Sequence, residues 1–324
     1  METVKALICG VGSIGSLIAA AALRTSWVDV VAAVDVDERK IGQDLGNILG
    51  CGRLGITVEG NLAEALSSSR PDIVLHATSS FLDQISDQVI KSINFGVDFL
   101  STCETLVYPY YRYPRLADKI NRLAVNRGVS VVGGGVNPGF LLDLLPGILS
   151  SLCLNIRRIH AVRLVDSSRR REAFRKKIGV GLSLKEYEEM REKNLLTGHV
   201  GYAESTLLLA DMLGIKLEEV RECQRPLIKS GRVIGLEGVG LGYLKRREII
   251  RVMFKAMEGG KEYDEIVIEG EPNIIWRSEG VQGELATAAL IINLIPRVLE
   301  AEPGIQLVSR LKPPSHRFMA ISPG

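Results

Sequence analysis

A chain of 324 residues has room for about two domains at roughly 100–200 residues each. Apolar residues make up 46% and charged residues 24%, enough core-forming material to exclude wholesale disorder. The 40 basic and 38 acidic side chains leave a net charge of +2, which offers no electrostatic footprint for nucleic acid or an anionic membrane.

Five scattered cysteines, with no CxxC and no Cys/His cluster at zinc spacing, point to a reducing compartment and to no metal site. Ala6–Leu23 is uncharged and has the look of a signal peptide or a short membrane span. Three glycines, Gly10, Gly12 and Gly15, interrupt it and Arg24 closes it. The run reads more economically as strand, turn and helix, and the protein is expected to be cytoplasmic, without membrane contact.

Val4–Cys9 is a short buried-strand run. Gly10-Val-Gly12-Ser-Ile-Gly15 follows, and Ser13–Leu23 continues as a helix rich in Ala, Leu and Ile. The spacing has a mechanical logic: Gly10 for a tight turn, Gly12 for close approach to a pyrophosphate, Gly15 for packing of helix on strand. The amides at the helix start (Ser13, Ile14) would meet the phosphates. Val30–Val34 is the next strand and ends on Asp35, 20 residues after Gly15, where a carboxylate binds a ribose 2′-hydroxyl. Asp35 favours NAD. Arg39 and Lys40 nearby could instead pair with a 2′-phosphate, so the expected cofactor is NAD or NADP.

Pro71–His76 is a strand, Phe81–Ile93 a helix with an apolar stripe at Phe81, Ile85, Val89 and Ile93, and Val97–Leu100 a strand. Tyr110–Asn126 is a helix and Val129–Val132 a strand. Strands alternating with helices predict a Rossmann-type, doubly wound parallel sheet with ligands at the carboxyl ends of its strands. Thr78 and Ser79, then Ser101-Thr102-Cys103-Glu104, then the Gly133–Gly139 stretch with Asn137, should line that crevice.

Beyond Gly139 the pattern changes to an α+β domain with a largely antiparallel sheet. Leu141–Leu152 reads as an apolar helix, Arg158–Val165 as a strand, and the basic stretch from Arg169 to Lys177 as a solvated face. Ser183 with Glu186 is a capping box opening a helix Leu184–Lys193. Ala203–Leu213 is a helix. Val239–Leu244, Glu248–Met257 and Tyr263–Gly270 are spaced like an antiparallel meander, and Gly283–Ile295 is an apolar helix. The expected domains are 1–140, completed by 284–324, for the dinucleotide, and 141–283 for substrate binding and dimerisation.

Ala33–Gly46, STCE (Ser101–Glu104), GGGVNPGF (Gly133–Phe140), the VDSSRRR stretch with KKIGVGL (Lys176–Leu182) and GHVGYAES (Gly198–Ser205) together resemble the 2,4-diaminopentanoate dehydrogenases and the related native amine dehydrogenases. The resemblance implies an oxidoreductase acting on CH–NH2 groups, which interconverts a small amine with a ketone and ammonia, and a homodimer. It implies that Glu104 is the key catalytic residue and that His199 lines the substrate cavity. Arg163 is the arginine chosen to hold a substrate carboxylate.

The chemistry agrees. Oxidative deamination needs one general base, first to free the amine and then to activate water, and burial helps by raising such a group toward neutrality. Beside Glu104, Cys103 reads as a buried, inert thiol, because no His or Lys accompanies it. A meso-diaminopimelate-type amino acid dehydrogenase and a non-catalytic NAD(P) sensor are the alternatives.

Overall fold

The computed structural model describes residues 3–317, so the last part of the expected 284–324 segment, 318–324, lies outside the described residues. The chain divides into two compact units: the residues up to Val136 with those from Gly283 onward, and Asn137–Gln282.

The first unit begins with β1 (Val4–Cys9), α1 (Ser13–Leu23) and β2 (Val28–Val34), so the uncharged run is indeed split by its glycines. Then come α2 (Leu45–Leu49), β3 (Val58–Glu59), α3 (Leu62–Ser69), β4 (Ile73–His76), α4 (Leu82–Asn94) and β5 (Asp98–Ser101). A 3₁₀ turn, Glu104–Leu106, precedes α5 (Pro109–Arg112), α6 (Pro114–Arg127) and β6 (Ser130–Gly133). Among the described residues, no helix is long and apolar enough to cross a membrane.

The seven strands of this unit run in the order β13-β6-β5-β4-β1-β2-β3, where β13 is Gly304–Gln306, and every described pairing is parallel. Near-continuous burial along β1, β4, β5 and β6 is what a sheet covered on both faces demands. The apolar stripe of α4 starts one residue late, at Leu82 with Ile85, Val89 and Ile93, because Phe81 is the N-cap. The single helix expected over Tyr110–Asn126 is two. Pro114 lacks the N–H that a continuing helix requires and starts α6 afresh, and Gly128 in the left-handed region ends it.

The second unit holds α7 (Leu144–Ser150), β7 (Asn155–Asp166), α8 (Glu172–Lys177), α9 (Leu184–Glu192), α10 (Tyr202–Met212) and β8 (Glu219–Lys229). It continues with β9 (Arg232–Leu244), β10 (Arg247–Met257), β11 (Tyr263–Glu271) and β12 (Ile274–Ser278). The apolar helix α11 (Gly283–Leu299) then belongs to the first unit. Ser183 and Glu186 form the capping box at α9.

The sheet order is β12-β11-β7-β10-β9-β8, which corrects the meander. β7 lies between β10 and β11, parallel to the former and antiparallel to the latter. Crossing one intervening strand needs roughly 10 Å, and residues 258–262 can span about 17 Å, so connector length alone does not separate the two topologies. Asp166 pins the crossing by accepting the Gly259 N–H at 2.9 Å. Strand β8 escaped sequence reading because it is an exposed, charged edge strand carrying Pro226.

Candidate active site

In the first unit, β1 pairs with β2 on one side and β4 on the other, so the chain reverses its direction of winding at β1. The carboxyl ends of the two strands at this switch point, Cys9 and His76, are in register. Gly10 and Ala77, which follow them, therefore stand at the position where such sheets bind ligands.

Gly10 has φ +91°, and a Cβ on it would meet the Ala77 carbonyl oxygen at 2.7 Å and Cγ2 of Thr78 at 2.8 Å. A Cβ on Gly15 would overlap the Gly10 carbonyl, so this glycine lets α1 pack against the turn. Gly12 is different: it is exposed, and a Cβ there would meet nothing within 4 Å. It is also the N-cap of α1, and among the described residues no side chain caps that helix end. Open space over Gly12, beside the positive end of α1 with the Ser13 and Ile14 amides, fits a pyrophosphate.

Asp35 is buried at the end of β2. Its Oδ2 accepts the Val11 N–H at 2.7 Å and pairs with Lys40 Nζ at 3.0 Å, while Oδ1 accepts the Asp37 N–H at 2.9 Å. Burial pushes its pKa up, but these hydrogen bonds outweigh burial and hold it below the ordinary range. Arg39, paired in sequence reading with a phosphate, is exposed and lies on Asp37 instead; Lys40 is the cation that reaches Asp35. Val11 was missed because a backbone amide carries no side-chain signal.

Glu104 starts the 3₁₀ turn after β5, at the same sheet edge, and is partly buried. Both neighbours are anchored. The Cys103 N–H donates to Ser101 Oγ at 3.0 Å, and its carbonyl accepts the Leu106 N–H. Thr105 Oγ1 accepts the Leu82 N–H at 2.8 Å and donates to the Ser80 carbonyl at 3.2 Å. Cys103 is fully buried, with burial pushing its thiol up to about 12. With its polar groups engaged inside the unit, it is a buried, inert thiol beside Glu104 and shows no group toward the crevice. Thr78 is exposed beside the glycine turn, and Ser79 Oγ donates to Gln84.

In the second unit, His199 and Asn137 come together: Asn137 Nδ2 donates to His199 Nε2 at 3.2 Å, which puts the ring proton on Nδ1. Asn137–Phe140 stand with the second unit, where the Gly139 N–H is also donated to Asp143. The His199 ring lies 4.4 Å from the Phe254 ring and 4.9 Å from that of Tyr202, centroid to centroid. Burial, reinforced by the positive charges of Lys177 and Arg163, pushes it down to about 3, so the imidazole is neutral.

Arg163 does not present a free guanidinium. It is 3% exposed, with Nη1 on Asp264 Oδ1 at 3.0 Å and Nη2 on the Val281 carbonyl at 2.6 Å. The reading of Arg163 as a carboxylate clamp is corrected accordingly: its charge acts on His199 from within the fold. Phe254 and Asp264 sit on strands at positions that only the sheet register reveals.

The sequence profile of the 2,4-diaminopentanoate dehydrogenase C-terminal domain matches residues 140–321, and that of the dihydrodipicolinate reductase N-terminus matches residues 4–92. The chain is 28% identical over 335 residues to 2,4-diaminopentanoate dehydrogenase of Acetoanaerobium sticklandii, covering 97% of this chain and 95% of that one. It is 24% identical to an amine dehydrogenase of Streptomyces virginiae, over 93% and 94% of the two chains. The solved amine dehydrogenase of Mycobacterium smegmatis superimposes with a TM-score of 0.88 at 25% identity, over 97% of each chain. With more than half its length in the first of those profiles, the chain belongs to the 2,4-diaminopentanoate dehydrogenase family.

Proposed function

We propose that this chain is an NAD(P)-dependent dehydrogenase that interconverts a small amine with its ketone and ammonia, with Glu104 as the general base. The observation that carries this reading is the placement of Glu104. The residue follows β5 at the carboxyl edge of the sheet that also bears the Gly10–Gly15 turn, on a backbone held on either side. Family membership supports the substrate class.

A bound nicotinamide supplies or accepts the hydride. The chain's own residues handle protons and position. Hydride leaves only from a carbon whose nitrogen carries a lone pair, so Glu104 takes a proton from the substrate ammonium. After hydride departure the substrate is an iminium. Glu104 then passes its proton to solvent and takes another from the water that attacks the iminium carbon. Collapse of the carbinolamine releases ketone and ammonia. Within the second unit, His199, neutral and oriented by Asn137, presents a fixed polar group beside Phe254 and Tyr202 and is that unit's candidate for a substrate contact.

We further propose that the six-stranded sheet pairs two copies of the chain as a homodimer. Alternate residues of its strands are buried against α7 and α10, while Leu164, Val239, Leu241, Met253 and Val267 on the other set remain partly exposed. Light scattering on the purified protein tests this, and a monomer at micromolar concentration removes it.

The test of activity is reduced-nicotinamide absorbance with NAD or NADP and a panel of amines. Turnover with 2,4-diaminopentanoate or an alkylamine is expected. Turnover with diaminopimelate alone would establish the amino acid dehydrogenase alternative, and cofactor binding without any turnover the sensor.

A further inference from the structure

His76 is the last residue of β4 and is fully buried, yet two of its polar contacts, Ser101 and Thr78, lie at the carboxyl edge of the sheet, and the third is Gln88 of α4. In register it stands between Cys9 of β1 and Ser101 of β5, so it sits between the strand that leads into the glycine turn and the strand that leads to Glu104.

Its two ring nitrogens face opposite ways. Nδ1 lies 2.8 Å from Ser101 Oγ; Nε2 lies 2.7 Å from Gln88 Oε1 and 2.8 Å from Thr78 Oγ1. Gln88 Oε1 accepts and cannot donate, so in a neutral ring Nε2 carries the proton and Nδ1 accepts the hydroxyl proton of Ser101. The Nε2 proton is shared between Gln88 Oε1 and Thr78 Oγ1, while the Thr78 hydroxyl gives its own to Gln88 Oε1 at 3.2 Å. The ring is neutral, and every member of this chain has a partner.

We propose that His76 is a positioning residue joining the two loops that carry the site. Through Nε2 it holds Thr78, whose methyl packs over Gly10 of the nucleotide turn. Through Nδ1 and Ser101 it holds the Cys103 amide, immediately before Glu104. One buried imidazole thereby sets the cofactor-side loop and the base-bearing loop relative to each other within the first unit. The inference rests on the dehydrogenase reading for the role of Glu104, but the two contacts belong to His76 alone.

The two nitrogens can be removed separately. In His76→Asn the amide oxygen stands near the place of Nδ1 and keeps Ser101, while Gln88 and Thr78 lose their partner. In His76→Gln the longer amide reaches Gln88 and Thr78 and abandons Ser101. Each lost bond between neutral groups corresponds to about a five- to tenfold effect.

His76→Asn is therefore expected to raise the NADH dissociation constant, read by fluorescence titration, by about five- to tenfold, and to move kcat less. His76→Gln is expected to lower kcat by a similar factor and to speed hydrogen exchange at the Cys103 amide, and to move NADH affinity less. Ser101→Ala should copy His76→Gln, and Thr78→Val should copy His76→Asn; these two serve if the His76 variants fail to fold. Equal shifts in affinity and kcat for both members of a pair overturn the proposal, as does an unchanged Cys103 amide in Ser101→Ala. Titration and exchange do not require turnover, so a wild-type protein inactive on every amine would overturn the dehydrogenase reading and still leave His76 to be judged.

Discussion

In the first unit, the groups placed to meet a dinucleotide are backbone amides, glycines and short side chains on loops after parallel strands. In the second, the candidate groups are buried or half-buried side chains, His199 among aromatic rings and Arg163 locked to Asp264. The first arrangement costs the fold little, because loops at strand ends already surround a crevice. The second requires charges to be taken out of water, and it persists only where each has a partner. Substitutions should therefore act differently in the two units: on binding and rate in the first, on stability in the second.

The sharpest test of this contrast is Glu104→Gln. The loop is held by Cys103 and Thr105, so the fold and NADH affinity should be retained while amine turnover falls by roughly 10²–10⁴-fold, the usual span for a general acid–base group. Steady-state kinetics beside a fluorescence titration checks it. A rate near that of the wild type would take Glu104 out of the mechanism.

Asp264→Asn should do the reverse. It leaves the Arg163 guanidinium buried without its counter-charge, a change that costs about 3–5 kcal/mol when one partner of a buried pair is removed. Urea unfolding measures it. The exposed Arg39–Asp37 pair of the first unit provides the contrast, since breaking it should leave the unfolding midpoint in place.

The same division explains what could be read from sequence. The Gly10–Gly15 turn, Asp35 and the strand–helix alternation are dictated by local backbone geometry, and local geometry is written in spacing. The Ser183–Glu186 capping box was legible for that reason too. Asn137 meets His199 across 62 positions and Arg163 meets Asp264 across 101, and neither contact leaves a periodic trace. The family resemblance singles out Arg163 as a ligand-binding cation, an arginine on the first strand of the second unit. The sequence does not say that β11 brings it a counter-charge. His76 escaped notice for a related reason: at the end of an apolar run it reads as a core residue, and its function depends on Ser101 and Gln88 arriving from other elements.

Acid should act on both units, because each buries a neutral histidine. Burial pushes His199 down to about 3 and His76 to about 4, both well below the ordinary value near 6.5. As pH drops below 6.5, the unfolded chain binds protons that the folded chain refuses, so stability falls with falling pH until each folded-state value is reached. His199→Gln removes one of these sites. Between pH 7 and pH 5 the variant should lose less stability than the wild type, as read from urea midpoints. A parallel pH dependence in the two proteins would mean that His199 titrates in the fold as it does in the unfolded chain.

The smallest expected effect concerns cofactor choice, and here the first unit contains its own opposition. Asp35 would accept a ribose hydroxyl and repel a 2′-phosphate, but Lys40 already lies 3.0 Å from one of its oxygens. Removing the acid and removing the cation should therefore move the preference in opposite directions. Asp35→Ser should shift the ratio of NAD to NADP affinities toward NADP, and Lys40→Ala should shift it toward NAD, each by about tenfold, the worth of one charge-assisted hydrogen bond at a partly exposed site. Titration of both nucleotides against both variants gives the ratio directly. If both substitutions move it the same way, the pair acts only to order the loop after β2, and the choice of nucleotide is made elsewhere.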